Sequence, residues 1–166
     1  MSLKTKIVIL VTGGTFDKEY NEITGKLFFN QSHIQEMLDL GRCRIKVDIK
    51  KIMLKDSLDM EPVDRALILD ACMQTDTNKI VITHGTDTMT ETAKLLSENI
   101  KDKTIVFTGA MIPYKFGASD GLFNLGSALT AAQVLNEGIY IAINGNVFKW
   151  DEVKKNREKG IFELIN

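Results

Sequence analysis

The sequence predicts an α/β fold in which one domain, residues 1–166, forms three layers around a mostly parallel, doubly wound, flavodoxin-like sheet of about five strands. Runs of β-branched residues with the length of strands alternate along the chain with longer segments that carry apolar residues at helical spacing. This order of elements is typical of βαβ units. A chain of 166 residues is long enough for one such core and too short for a second full domain.

Five apolar runs have the length of a strand. Four of them are continuous and lack polar alternation, which is typical of strands covered on both faces. These four span residues 7–11, 79–83, 104–108 and 139–143. The fifth run, residues 45–49, alternates between apolar and charged residues, so we expect it at an edge of the sheet.

Four segments between these runs repeat apolar residues at helical spacing: residues 33–41, 62–73, 88–100 and 120–138. Pro62 suits the first turn of the second helix, because proline lacks an amide that would be unpaired there in any case. The fourth helix is predicted to begin near Asp120. His33 is predicted to lie on the surface of the first helix.

The composition is that of an ordinary globular protein, with 44% hydrophobic and 26% charged residues. Lys and Arg total 21 against 22 Asp and Glu, and this balance argues against a surface for nucleic acid or for lipid headgroups. A small neutral or zwitterionic partner fits better. Cys43 and Cys72 lack the spacing of a metal site and are predicted to be buried thiols, one at the start of a strand and one within a helix.

The start of the chain does not have the pattern of a secretory signal peptide. Lys4 and Lys6 precede an apolar run at residues 7–11, which has the length of a strand. We therefore expect a cytoplasmic protein. Met1, Ser2 and Leu3 are set aside in the fold prediction as a leftover of expression.

Thr15 lies in the segment TGGTFD, residues 12–17, directly after the first strand. In doubly wound sheets ligands bind outside the carboxyl ends of the strands, and glycine lets a backbone approach a ligand closely. Thr15 is therefore a candidate functional residue at the carboxyl end of the first strand. The segment also suits a simple tight turn with a glycine pair. A phosphate-binding loop is a third interpretation, although GxGxxG and the GK[ST] ending are both missing.

A second polar segment, THGTDTMTETA at residues 83–93, also follows a buried strand and opens a helix. It packs hydroxyls, a carboxylate and a histidine together, which is costly unless these groups bind or cap something. Part of the cluster would cap the helix, but capping needs only one such side chain. The segment therefore favours a functional role, whereas His84 by itself is more typical of a packed, hydrogen-bonded histidine.

Two further segments each allow two interpretations. GAMIPYKFGASDGLFNL, residues 109–125, is a long loop after a strand, which either walls a site or routes the chain to the next helix. WDEVKKN, residues 150–156, contains Lys154 and Lys155, which without other context are a solvated charge pair.

Taken in this order, the segments resemble landmarks of the bacterial-type L-asparaginase family, specifically of its larger amino-terminal domain. The shared motifs are TGGT after the first strand, DSLDM at 56–60, HGTDTM at 84–89, GAM followed by ASDGLFNL, and DEVKKN near the end. HGTDT combined with TGGT at this spacing is specific, and the match spans almost the whole chain. The resemblance implies an amidohydrolase that converts a small amide to a carboxylate and ammonia, with L-asparagine as the first expected substrate and L-glutamine or a related amide as the second. It also implies that no metal or organic cofactor is needed.

The resemblance also implies a catalytic group. Thr15 takes the place of the family's first threonine and would attack the side-chain amide carbonyl to form an acyl-enzyme ester. Thr86, Asp87 and Lys155 match the family's second group. In that group the lysine activates a hydroxyl or a water molecule, and the aspartate orients it.

Substrate contacts follow from the same resemblance. Ser57 takes the place of the residue that holds the α-carboxylate, and Asp87 that of the residue that pairs with the α-amino group. Main-chain amides near Thr15 and Thr86 would stabilise the oxyanion. The remaining predicted contacts are Gly14, Leu58, Gly85, Thr86, Ala110 and Met111.

Two side chains depart from the family pattern or align with it in more than one way. Leu58 occupies a place where many members have glutamine or a similar polar residue, so one substrate hydrogen bond is expected to be missing. Such a loss can redirect selectivity by ~1 to 3 kcal/mol. On the loop after Thr15, Tyr20 would take the catalytic role of the family's tyrosine, although the alignment can equally place Ile23 there.

The length is a further departure. The family normally continues into a smaller carboxyl-terminal domain that completes the pocket of a neighbouring subunit, whereas this sequence ends at Asn166. We therefore expect a single domain that associates as a homodimer, because a pocket open to water would weaken electrostatic catalysis. Two alternatives remain open: a degenerate binding module for aspartate- or asparagine-like molecules, and a nucleotide- or flavin-binding flavodoxin-like domain, which lacks a phosphate fingerprint.

Overall fold

The computed structural model describes residues 6–165, so Met1, Ser2 and Leu3, set aside above, lie outside the described residues. In chain order the strands are β1 (Lys6–Gly13), β2 (Lys18–Asn21), β3 (Lys26–Phe29), β4 (Lys46–Lys55), β5 (Lys79–Thr83), β6 (Thr104–Thr108), β7 (Gly138–Ile143), β8 (Asn146–Lys149), β9 (Val153–Asn156) and β10 (Ile161–Leu164). The helices are α1 (Ile34–Leu40), α2 (Pro62–Met73), α3 (Met89–Asn99) and α4 (Gly121–Val134).

The central sheet has six strands in the order β4-β1-β5-β6-β7-β8. The first five are parallel, and β8 pairs antiparallel with β7. If the five parallel strands alone are counted along the chain, their order is 2-1-3-4-5, the flavodoxin-like order, which confirms the predicted fold class. The strand predicted at an edge is β4, and it lies there. The sixth strand, β8, is short and largely exposed, so its sequence carries no clear apolar pattern.

The core consists of two apolar layers, one on each face of the sheet. Side chains alternate along β1, so that Val8 and Leu10 pack in one layer and Ile7, Ile9 and Val11 in the other. The first layer contains the buried faces of α2 and α3, and the second contains those of α1 and α4. This arrangement is the predicted three-layer domain.

Two sequence signals act as expected at helix starts. Pro62 is the first residue of α2, and Glu61 and Asp64 form a reciprocal capping box there. Asp120 is the residue directly before α4, as predicted. None of the helices within residues 6–165 is both long enough and apolar enough to cross a membrane.

The two cysteines have different environments. Cys72 is buried in α2 as predicted, and burial raises the pKa of its thiol to about 12. For Cys43 the prediction is wrong: it lies in the loop before β4 and is only partly buried.

The prediction for His33 is also wrong. This residue is 1% exposed, because β2 and the segment around Tyr114 cover it. Its main-chain amide donates to Asp17 Oδ1 at 2.8 Å, and its ring lies 6.1 Å from that of Tyr114. Both covering segments lie outside α1, and Tyr114 is far from it in the sequence. Helical spacing within α1 therefore could not predict that His33 is buried.

Two antiparallel hairpins were not predicted. One is formed by β2 and β3 directly after the TGGT segment, and the other by β9 and β10 near the end of the described residues. Their strands have four residues each, which is too short for an apolar pattern to stand out. The β2–β3 hairpin follows the carboxyl end of β1, whereas the chain enters the β9–β10 hairpin from the end of β8, beside the start of β7.

Candidate active site

Threonines at the ends of three parallel strands brace the loops that follow. Thr12 Oγ1 in β1 donates to the Thr83 carbonyl at 2.8 Å, and Thr108 Oγ1 in β6 donates to the Ala142 carbonyl at 2.8 Å. The His84 amide, just past β5, donates to the Thr108 carbonyl at 2.9 Å. The carboxyl ends of these strands are therefore cross-linked into one platform. It lies at the β1/β5 junction, where the strand order reverses and ligands commonly bind.

Glycines allow two loops to meet on this platform. A Cβ atom on Gly14 would lie 2.4 Å from the Gly85 amide nitrogen, so the two main chains are in direct contact. Gly14 also has φ of 77°, a value that side chains rarely tolerate. Thr15 and Thr86 directly follow these two glycines. Their main chains therefore both begin at the contact between the two loops.

Lys155 joins Thr86 and Asp87 in one hydrogen-bonded group. Its Nζ atom donates to Thr86 Oγ1 at 2.7 Å and to Asp87 Oδ1 at 2.9 Å. Only 14% of the lysine side chain is exposed, so the pair is partly shielded from water. The sequence alone suggested that Lys154 and Lys155 are both solvated. In the structure Lys155 faces inward, whereas Lys154 is 58% exposed.

The β9–β10 hairpin holds Lys155 in place. Val153 and Phe162, one on each strand, are 2% and 8% exposed and join the apolar layer of α2 and α3. Because side chains alternate along a strand, Lys155 shares a side with Val153 and lies two residues farther out, at the rim of the sheet. The core therefore fixes the hairpin, and the hairpin brings the lysine to Thr86.

The long loop after β6 borders the same group. Met111 Sδ lies 3.8 Å from Thr86 Oγ1. Both carboxylate oxygens of Asp120 accept from the Met111 amide, and Asn124 donates to the Gly109 carbonyl at 2.9 Å. The loop thus contacts Thr86 and also leads the chain to α4, so its role as the wall of a site remains a prediction.

Known proteins share both this fold and these sequence motifs. The family model described as asparaginase, N-terminal, matches residues 6–162, which is nearly all of the chain. The chain belongs to the asparaginase family. This membership excludes the interpretation as a flavodoxin-like domain for a nucleotide or flavin.

Individual asparaginases match over the whole described fold. The L-asparaginase of Thermococcus kodakarensis is 33% identical over 168 residues, covering 97% of this chain and 51% of that protein. L-asparaginase 2 of Escherichia coli is 38% identical over 177 residues, covering 96% of this chain and 49% of that protein. The chain therefore spans about half the length of the relatives it matches.

Solved asparaginase structures share the fold. The thermostable L-asparaginase from Thermococcus kodakarensis superimposes with a TM-score of 0.84 at 32% identity, covering 98% of this chain and 52% of that protein. L-asparaginase I from Vibrio cholerae gives a TM-score of 0.85 at 26% identity, again covering 98% and 52%.

The other predicted residues of this asparaginase-family site differ in how they face it. Ser57 lies against Gly85: a Cβ atom on that glycine would be 2.5 Å from Ser57 Oγ. Ser57 is 1% exposed and its Oγ has no hydrogen-bond partner within residues 6–165, so it is not open to solvent in this structure. Leu58 is 60% exposed, and Ala110 is 1% exposed, so Ala110 offers mainly its main chain.

Tyr20 does not join the group in this structure. It is 53% exposed on β2 and pairs with Leu27 across the hairpin. Its hydroxyl points toward the hairpin turn, 3.9 Å from the position of a Cβ atom on Gly25. Its catalytic role remains a prediction.

A buried polar network behind the loops was missed by sequence reasoning. Arg65 of α2 donates to Thr92 Oγ1 at 2.5 Å and to Thr88 Oγ1 at 3.2 Å. Thr88 in turn donates to the Ser57 carbonyl at 2.8 Å, so Arg65 ties α2 and α3 to the Ser57 loop. A signal was available: Arg65, Ile68 and Cys72 follow helical spacing, which places the arginine on the buried face of α2.

His84 is part of this network, and both of its ring nitrogens have partners in it. Its Nε2 lies 2.9 Å from Thr92 Oγ1 and its Nδ1 lies 2.8 Å from the Gly85 carbonyl. Because Thr92 already accepts from Arg65, its hydroxyl donates to Nε2, and Nδ1 carries the proton. Burial lowers the pKa of His84 to about 4, which keeps the ring neutral.

Lys18 and Asp56 form a second missed contact, an ion pair between β2 and the residue before Ser57. Burial opposes ionisation of Asp56, but hydrogen bonds from Lys18 and the Leu58 amide outweigh that effect and lower its pKa. The pair connects the hairpin after Thr15 to the Ser57 loop. Within residues 6–165, no group of three His, Cys, Asp or Glu side chains is arranged to hold a metal ion.

Proposed function

We propose that the chain hydrolyses the side-chain amide of L-asparagine, or of a related small amide, to a carboxylate and ammonia. The observation that carries this proposal is the contact of Lys155 Nζ with both Thr86 Oγ1 and Asp87 Oδ1, at 2.7 Å and 2.9 Å, on the platform where the strand order reverses. The names of the relatives support it, since they include L-asparaginases and the glutaminase-asparaginase of Acinetobacter glutaminasificans.

Thr15 is the proposed nucleophile. Its hydroxyl adds to the amide carbonyl, ammonia leaves after the nitrogen gains a proton, and the resulting ester is hydrolysed by water. The support is positional: Thr15 leaves from the Gly14–Gly85 contact, so its hydroxyl starts beside the loop that carries Thr86. Main-chain amides at this glycine contact are suited to stabilise the negative oxygen that forms at each addition step.

Thr86, Asp87 and Lys155 are proposed to move the proton. In the resting arrangement the lysine donates to both partners; after it has passed a proton to the departing amide nitrogen, its lone pair accepts the hydrogen of the Thr86 hydroxyl. That oxygen then becomes basic enough to activate water or the attacking hydroxyl. Asp87 is proposed to keep the lysine oriented, which the distance of 2.9 Å between its Oδ1 and Nζ supports.

The remaining predicted residues are proposed to bind the substrate. Ser57 would hold the α-carboxylate after rotating out of its present packing, and Asp87 would face the α-nitrogen. The β2–β3 hairpin begins three residues after Thr15, and movement of this hairpin would bring Tyr20 toward Thr15. The other proposed contacts are Gly14, Leu58, Gly85, Thr86, Ala110 and Met111.

The test is ammonia release from L-asparagine, D-asparagine, L-glutamine and small peptides with a terminal asparagine. The Thr86→Val variant is the blank, because it keeps the shape of the side chain and removes the hydroxyl. Turnover above this blank supports the proposal. If no substrate releases ammonia but aspartate or asparagine raises the melting temperature, the chain is instead a binding module without amidohydrolase activity.

A homodimer is the proposed assembly. Helix α4 has no charged residue, and Phe123 and Val134 on its outer side are 63% and 61% exposed. They border a depression of about 550 Å³ whose lining is largely apolar. Such an apolar face is suited to pack against the same face of a second molecule. Sedimentation should show a dimer that Val134→Glu dissociates, while the matched change Val63→Glu at an exposed valine of α2 leaves it intact.

The cytoplasm is the proposed compartment. A structural neighbour from Campylobacter jejuni is titled a probable cytoplasmic L-asparaginase, although a relative from Haemophilus influenzae is named a probable periplasmic one. Fractionation of the cells that produce the protein would decide between the two compartments.

A further inference from the structure

Asp87 is already shared by two cations. Lys155 Nζ lies 2.9 Å from Asp87 Oδ1, and Arg157 Nε lies 3.4 Å from the same oxygen. Arg157 lies in the turn between β9 and β10, two residues after the proposed catalytic lysine, and 63% of its side chain is exposed. Neither the proposed catalytic group nor the fold requires this second cation.

The second cation changes what Asp87 can bind. A free α-ammonium group on a substrate would be the third positive charge at one carboxylate, and repulsion from the other two would oppose its binding. A neutral N–H donor would not meet this repulsion. Oδ2 of Asp87 has no hydrogen bond within residues 6–165, so it is available to such a donor.

A groove borders Asp87. It has a volume of about 610 Å³ and is walled by the start of α3 and by the segment from Trp150 to Arg157. Among the described residues, Thr15 and Ser57 are not part of its walls, whereas Thr86, Asp87 and Lys155 are. Asp87 therefore borders both the proposed amide site and this groove, and a substituent on an α-nitrogen that pairs with Asp87 would extend into the groove.

We infer that Arg157 selects substrates whose α-nitrogen is acylated, with the carboxyl-terminal asparagine residue of a short peptide as the representative case. This inference rests on the proposed function. The neutral amide N–H donates to Asp87, and the acyl part lies in the groove, where Trp150 supplies an apolar surface. Lys94 and Lys154, also in the walls, suit the carbonyl oxygens of that acyl part.

The reaction on such a substrate conserves the acyl group. Water supplies the oxygen of a new C–O bond at the side-chain carbonyl, and the bond between that carbonyl carbon and the amide nitrogen breaks. The nitrogen leaves as ammonia with a proton from water, and an N-acyl aspartate remains. The bond between the α-nitrogen and its acyl group stays intact.

The experiment compares kcat/KM for N-acetyl-L-asparagine, glycyl-L-asparagine and L-asparagine in the wild-type chain and in Arg157→Gln. We expect the wild type to favour the two acylated substrates at least tenfold, and the variant to reduce that preference at least fivefold, mainly by improving L-asparagine. Arg157→Lys should retain the preference because it keeps the charge. The matched control is Lys149→Gln, an exposed cation that pairs with Glu152 instead of Asp87 and does not line the groove.

Two results would overturn the inference while leaving the proposed function intact: preferential turnover of free L-asparagine by the wild type, or equal preference in wild type and Arg157→Gln. Absence of ammonia from every substrate would overturn the proposed function instead. In that case titration calorimetry with N-acetyl-L-aspartate and L-aspartate still decides the recognition step. Tighter binding of the acetylated ligand, weakened by Arg157→Gln, would support it, and tighter binding of L-aspartate would refute it.

Discussion

Lys155 Nζ lies 2.7 Å from Thr86 Oγ1, although 69 residues separate them in the sequence. The threonine follows a central strand, and the lysine comes from a small hairpin anchored in the core. The proposed catalytic group is thus assembled by tertiary structure, and changes to its parts can be separated from changes to the fold.

Lys155→Met should lower kcat/KM for ammonia release by about 100-fold or more, because the variant cannot transfer a proton to or from Thr86. The melting temperature should change little, since methionine retains most of the apolar stem. Lys149→Met is the control, because that side chain is 64% exposed and pairs with Glu152, away from the proposed site. Equal activity in both variants would show that Lys155 is only a structural ion-pair partner.

Gly85→Ala should damage both stability and activity. The new Cβ atom would lie 2.5 Å from Ser57 Oγ and 2.9 Å from the Ser57 amide nitrogen, so the Ser57 loop would have to move. Overpacking of this kind costs about 1 to 3 kcal/mol, measurable by urea unfolding. Gly126→Ala is the control: that position lies in α4 with no atom within 4 Å, so alanine should be neutral or stabilise by up to about 1 kcal/mol.

Arg65→Met should reduce the free energy of unfolding by about 1 to 3 kcal/mol, because it removes the donors to Thr88 and Thr92. The Ser57 loop is tied to Thr88, so KM should rise more than kcat falls. Arg65→Lys should recover part of the loss. A variant with normal KM would show that the network stabilises the fold without positioning Ser57.

The buried His84 should make the protein less stable in mild acid. The folded pKa is about 4 against 6.5 for the free side chain, so below pH 6.5 the unfolded state takes up a proton that the folded state does not. Stability present above pH 6.5 is therefore lost as the pH falls toward 4, by about 2 kcal/mol at pH 5. Urea unfolding at pH 7.5 and pH 5 measures this loss.

His84→Gln is the comparison for that experiment. The variant should be less stable than wild type at pH 7.5, because the contacts with Gly85 and Thr92 change, but its stability should fall less on acidification. An equally steep fall in both proteins would assign the acid sensitivity to other groups.

The parts of the fold that the sequence predicts are those with strong local patterns. The continuous β-branched runs of β1 and β6 identify buried strands, and the alternation in β4 identifies an edge. The missed elements lack such patterns. Strands of four residues are too short for them, and the burial of His33 depends on a hairpin and a loop from other parts of the protein.

The candidate site was predicted unevenly for the same reason. Polar residues clustered after strands point to Thr15 and Thr86 directly, because parallel strands bring their carboxyl ends together. Lys155 entered only through resemblance to a family, since a lysine in a short polar segment has no local mark of burial. The contact of Arg157 with Asp87 joins two loops and cannot be inferred from either one alone.

The position of β4 at the edge of the sheet has a consequence for self-association. This strand is ten residues long and leaves one row of main-chain hydrogen-bonding groups open, which is a template for pairing with another protein molecule. It carries the exposed lysines Lys46, Lys50 and Lys51, whose like charges on two such strands would repel one another, whereas Lys55 is paired with Asp64. The lysines thus disfavour edge-to-edge pairing of β4, and the proposed dimer through the outer side of α4 would leave this edge unused.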